Sequence, residues 1–192
     1  ASGITSMEKW LASKTPVKLG AVAPGSTTDD APKILKASIG VPLQLVSGYK
    51  GTAAIRLAAE SGEVAGGCWG LESIRVTWRK GIETGEVAVV LQTLKAPDMP
   101  DVPLVINLAR TEEARQLIKI GIEDAGNITR PFVVTPGTPK DRVQLLRKAF
   151  LDTLKDPEFL TDAQKAKLDV DPMTGEELER TVHGLFKLDP AF

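Results

Sequence analysis

Between residues 17 and 92, short β-rich runs alternate with amphipathic helical ones, and each passage from run to helix carries glycine. "VKLGAVA" (17–23) reads as a strand, and a helix is expected over about 28–38, with Ile34 and Leu35 on its apolar face and Gly40 as its stop. "LQLVSGY" (43–49) is a second strand, and "TAAIRLAAES" (52–61) a second helix. In that helix Ile55, Ala58 and Ala59 stand at i, i+3 and i+4, and Gly62 ends it. "EVAGGCWG" predicts a short third strand running into a turn, and "LESIRVTWRKGIE" a third helix. The continuous apolar run "EVAVVLQ" (86–92) reads as a strand buried on both faces. Such alternation implies right-handed βαβ crossovers and a mainly parallel sheet, hence an α/β fold.

The rest of the chain changes character. "KAPDMPDVPLV" (95–105) is a proline-rich loop, and "TEEARQLIKIGIED" (111–124) is a helix with acidic residues in its first turn. Residues 139–192 read as almost wholly helical, with Pro139 at a helix start, where its missing N–H costs nothing. A chain of 192 residues can form one large domain or two small lobes. Its 24 basic and 25 acidic residues leave a net charge of -1, without the basic excess that nucleic-acid binding requires. No apolar run approaches the roughly 20 residues of a membrane span. The chain opens at Ala1 without a signal peptide, which we read as a processed or truncated start.

One cysteine and one histidine limit the chemistry. Cys68 has no partner for an intrachain disulfide, and with His183 it falls short of a zinc ligand set. No motif links the two as nucleophile and base. His183, in "ERTVHGLF", reads as a helix residue on a half-buried face.

Ligands of open parallel sheets lie beyond the carboxyl ends of the strands. Three turns are expected there: "APGSTT", "SGYKGT" and "GGCWGLES". None is a nucleotide motif, because Lys50 precedes Gly51 instead of following a P-loop glycine, and no G-x-G-x-x-G occurs. The helix after Ser26 offers free N–H groups to an anion, although Asp29 and Asp30 already stand in its first turn and read as caps. Glu112–Glu113 and Glu176–Glu177 read the same way. Tyr49, the sole tyrosine, offers a ring for packing and a hydroxyl for a ligand. Lys50 is either a carboxylate partner or a solvated surface group, and Trp69 either caps a pocket or fills the core. Trp78 reads as packing.

"VKLGAVAPGSTTDDAPKILKASIGVPLQLVSGYKGTAAIRLAAESGEV" resembles the second lobe of the tripartite tricarboxylate transporter receptors, the Bug family of extracytoplasmic solute-binding proteins. In that family a strand–"GxGS"–helix segment is followed by "G(Y)KGxxxxxxAxxxGEVxG". "RPFVVTPGTPKDRVQLLRKAFLDTLKDPEFLTDAQKAKLDVDPMTGEELE" is similar to the family's return segment. The resemblance implies a periplasmic receptor of the type II binding-protein fold, two lobes closing like a hinge over a small carboxylic acid. It implies delivery of that acid to a membrane permease, with no cofactor and no metal. Residues 1–130 would be the second α/β lobe and residues 131–192 a mostly helical return segment belonging to the first. The first lobe's opening α/β segment is not matched, which puts ligand binding by this chain alone in question.

The implied ligand-binding residues are Gly25, Ser26, Thr27 and Thr28 in the first turn and Tyr49, Lys50, Gly51 and Thr52 in the second. "GGCWGLES" departs from the family pattern, so Trp69 and Glu72 join them by position alone. A ligand is expected over the helix N-terminus after Ser26, in reach of both turns. Two other readings compete: a self-associating fragment without a ligand, and a small α/β enzyme using Lys50 or Glu72 as acid–base group. Apolar stripes of Val143, Leu146, Phe150 and Leu154, and of Leu178, Val182, Leu185 and Phe186, lack the sheet they would cover in a full receptor. They are expected to fold back or to pair in a two-fold homodimer.

Overall fold

The computed structural model describes residues 2–128, 130–166, 168 and 170–188. The chain divides into two compact units, Ala1–Asn127 and Ile128–Phe192.

The first unit is α/β, built on a small open parallel sheet of β1 (Val17–Ala21), β2 (Leu43–Ser47) and β3 (Gly66–Gly67) in the order β2-β1-β3. Val17 of β1 pairs with Leu43, and Gly20 with both Val46 and Gly67. Side chains alternate across β1. Leu19 enters the main core with Ala31 and Leu35 of α2 (Thr27–Ile39), whereas Gly20 faces Ile55 of α3 (Thr52–Glu60). Helix α1 (Met7–Leu11) adds Met7 and Trp10 to the main core. Gly40 ends α2, its N–H returning 3.1 Å to the Lys36 carbonyl.

The strands are shorter than the sequence predicts, ending at Ala21 and Ser47, and β3 has only two residues. The expected helix over 71–83 is two, α4 (Leu71–Thr77) and α5 (Arg79–Glu83). Trp78 separates them at φ -127°, ψ 19°. There its ring stacks on Trp69 at 5.7 Å and its indole N–H donates to Glu60 Oε1 at 3.1 Å.

Residues 86–92 form no strand. The segment is irregular and makes one isolated bridge, Gln92 to Leu104, with Glu86 and Ala88 exposed. A buried apolar strand needs a neighbour along its whole length, and β3 stops after two residues. Gln92 carries the order instead. Its buried amide donates to the carbonyls of Met99 (3.1 Å) and Val102 (2.6 Å), and its oxygen accepts the Ala96 N–H at 2.8 Å. The proline-rich loop is thus wrapped around one polar side chain.

The helix expected over 111–124 begins as α6 (Glu112–Ile118), capped by the Thr111 hydroxyl, and widens into a π-helical stretch, Lys119–Asp124. A three-residue α7 (Ala125–Asn127) completes it. Lys119 pairs with Asp124 at 3.1 Å, five residues on, which is the spacing of π geometry. Ile118 and Ile122 are buried, and Gly121 lies so close to Ile34 that a methyl group there would displace the end of its side chain. This helix thereby backs α2.

The second unit contains α8 (Lys140–Thr153), α9 (Pro157–Lys165) and α10 (Gly175–Leu185). Pro139 precedes α8 as expected, Asp156 caps α9, and Thr174 and Glu177 form a capping box on α10. Arg147 of α8 bonds Glu176 (2.7 Å) and Glu179 (3.2 Å) of α10. Phe132 packs its ring on Phe150 at 4.9 Å. Of the two stripes, Val143, Phe150, Leu154, Leu178, Val182 and Leu185 are half-buried, while Leu146 and Phe186 are exposed. His183 is exposed, not on the half-buried face expected of it. Among the described residues, no helix is long and apolar enough to cross a membrane.

Candidate functional site

The connection β1–α2–β2 steps from β1 to one side and β2–α3–β3 runs back across β1 to the other, and α2 and α3 cover opposite faces of the sheet. A sheet in this order has its switch point between the carboxyl ends of β1 and β3. The turns before α2, α3 and α4 all open on that edge.

The first turn is held by its own polar groups. Gly25, at φ 83°, donates its N–H to Asp30 Oδ1 at 3.1 Å. The Ser26 hydroxyl donates to the Ala23 carbonyl at 2.6 Å instead of capping α2. Buried Thr28 accepts the Val22 N–H at 3.0 Å and lies 2.9 Å from Ser26 Oγ. Thr27 is exposed. The N–H groups of Asp29 and Asp30 both reach the Ser26 carbonyl at 2.9 Å.

Asp29 and Asp30 do not cap the helix as the sequence suggests. Asp30 closes the turn on Gly25, as above. Asp29 is 1% exposed, accepting the Ser47 hydroxyl at 2.7 Å and a Lys33 ammonium proton. Those bonds, Lys33's first and Ser47's second, hold its carboxyl below the usual range.

The second turn is tied to the first by backbone bonds. The Gly48 N–H reaches the carbonyls of Ala21 (3.1 Å) and Val22 (2.9 Å), and the Tyr49 N–H reaches Ala21 at 3.2 Å. Gly51 stands at φ 153° before α3, a conformation that other residues adopt only under strain. Lys50 is exposed, and no acidic residue stands in the first turn of α3. Tyr49 half-buries its ring against Gly20 and donates its hydroxyl to Glu63 Oε1 at 2.5 Å. The Glu63 acceptor pushes the Tyr49 pKa above its ordinary value.

In the third turn Trp69 fills space. Its ring lies against Gly67, whose register partner is Gly20, so two glycines side by side admit the rings of Trp69 and Tyr49 to the sheet. Trp69 is 9% exposed, and its indole N–H is buried without a hydrogen-bond partner among the described residues. Glu72 turns back over Gly70 at the start of α4. Cys68 is partly buried, and burial pushes its thiol up to about 11, far from a reactive thiolate at neutral pH.

The structure therefore gathers all three predicted turns at one edge but employs Gly25, Ser26, Thr28 and Tyr49 in holding it together. Asp29, Ser47 and Glu63 share that task. Asp29 was legible only as an acid in a first turn, and Ser47 and Glu63 carried no signal beyond lying beside glycines. Helices α2, α3 and α4 start here without a side-chain cap, as α5 and α8 do elsewhere, whereas α1, α6, α9 and α10 are capped by Ser6, Thr111, Asp156 and Thr174. Among the described residues no group of three or more His, Cys, Asp or Glu side chains is placed to hold a metal ion. No protein-family model, curated protein or solved structure matches this chain.

Proposed function

We propose that the chain is the second lobe, with its helical return segment, of an extracytoplasmic solute receptor of the type II binding-protein kind. It takes up a small carboxylic acid for a membrane permease of the tripartite tricarboxylate type. What supports this reading is the gathering of three helix starts at the carboxyl edge of a parallel sheet, none of whose first-turn N–H groups is taken by a side-chain cap.

The two main starts differ in charge. Asp29 and Asp30 compensate the dipole of α2, and Asp30 occupies the Gly25 N–H. Helix α3 has no such acid and follows the exposed Lys50. The ligand carboxylate therefore belongs at Gly51–Thr52 and the N–H groups of Thr52 and Ala53. Thr27 and the N–H groups of Thr27 and Thr28 meet the uncharged remainder of the ligand. Oriented N–H donors suffice for a carboxylate, so binding needs no metal.

Calorimetric titration with succinate and with its diamide, before and after chelator treatment, tests the proposal. Saturable binding of succinate alone, unchanged by the chelator, is expected. Equal binding of the diamide, or loss of binding with the chelator, contradicts it.

A further inference from the structure

The proposed site consists of two turns from different parts of the chain, and a ligand spanning them requires a fixed spacing. Backbone bonds from Gly48 and Tyr49 fasten the second turn to the end of β1. They do not reach α2, whose first turn supplies the other donors. One side-chain link does. Ser47, the last residue of β2, donates its hydroxyl to Asp29 Oδ1 at 2.7 Å, across 18 positions of sequence. Oδ2 of the same carboxylate takes the Lys33 ammonium from one turn further along α2.

We infer that Asp29 is a positioning residue, which through Ser47 fixes the root of the Tyr49–Thr52 turn against the first turn of α2. A carboxylate that is 1% exposed has little water to replace these partners, so losing the hydroxyl of the exposed Ser47 leaves Oδ1 buried and short of a donor. Both bonds are charge-assisted, and such bonds are shorter and stronger than neutral ones. Donors that converge on one ligand must keep their places to within about 0.5 Å, which a turn anchored only at its backbone does not ensure. Lys33, the other partner, is 55% exposed and supplies charge more than position.

This inference rests on the receptor reading for its ligand, and its test separates the two. Amide hydrogen exchange and succinate titration are measured on the full chain and on Ser47→Ala, Ser47→Thr and Asp29→Asn. In Ser47→Ala, the amides of Gly48–Thr52 should exchange about tenfold faster, the scale of one charge-assisted bond, with Ile118 and Ile122 unchanged. Succinate should bind about tenfold more weakly, and Ser47→Thr, which restores the hydroxyl, should recover both. Asp29→Asn should weaken binding at least as much. Should it fail to fold, the serine pair decides alone. Unchanged exchange in Ser47→Ala, or faster exchange with undiminished succinate affinity, overturns the positioning role. Failure of the unaltered chain to bind succinate overturns the receptor reading instead, and the exchange arm still decides whether Asp29 holds the turn.

Discussion

Tyr49 shows how one side chain serves the site without facing a ligand. Its ring closes over Gly20, and its hydroxyl is spent on Glu63 at 2.5 Å, which braces the second turn against the segment leading to β3. The carboxylate acceptor disfavours the phenolate, so the folded pKa lies above the ordinary tyrosine value of about 10. A folded pKa raised in this way gives stability that is complete below the unfolded pKa and is lost as pH rises through the folded one. Because Tyr49 is the sole tyrosine, tyrosinate absorbance reports it alone. The native protein should titrate above about 10, and Glu63→Gln should bring the midpoint down. An ordinary midpoint in the unaltered protein would show that the bond is absent in solution. Asp29 works with the opposite sign. Its depressed pKa gives stability that is present above the ordinary carboxyl value of about 4 and is lost as pH falls through the folded one.

At the scale of elements, local patterns were readable wherever a residue's neighbours in sequence are also its neighbours in space. The i, i+3, i+4 apolar face of α3, the apolar pair Ile34 and Leu35 of α2 and the stop at Gly40 are of this kind. The failures share the opposite cause. "EVAVVLQ" has the composition of a buried strand, but pairing depends on a partner, and β3 is too short to provide one. Helix 71–83 breaks because Trp78 meets Trp69, a contact invisible in periodicity. In "GGCWGLES", one of the three turns expected at the ligand edge, Gly67 makes room for the Trp69 ring, a contact two residues along that periodicity does not show. Gln92 passed unnoticed as the polar end of an apolar run, although three bonds to the 96–102 loop converge on it. Gln92→Leu leaves those backbone groups without their partner and should destabilise the protein by about 1–3 kcal/mol in urea unfolding. A loss below a few tenths of that would mean the loop reorganises without cost.

At the scale of the molecule, the α/β class followed from alternation alone, and the strand order did not. Order β2-β1-β3 is what sets α2 and α3 on opposite faces and leaves a switch point beside β1. The candidate site was legible as three turns, but the distribution of charge between them was not. It depends on Asp30 folding back to Gly25 and Asp29 turning inward to Ser47, and so on the register of β2 against α2. From that distribution comes the central claim, that a small carboxylate is received at the start of α3 with α2 contributing only neutral donors. Amide chemical shifts recorded during a succinate titration test it most directly. The account predicts saturable shifts that are largest at Gly51, Thr52 and Ala53, smaller ones at Thr27 and Thr28, and none at Ile118 or Ile122 in the core. Shifts centred on Gly25 and Asp30, or an edge that does not respond at all, would contradict it.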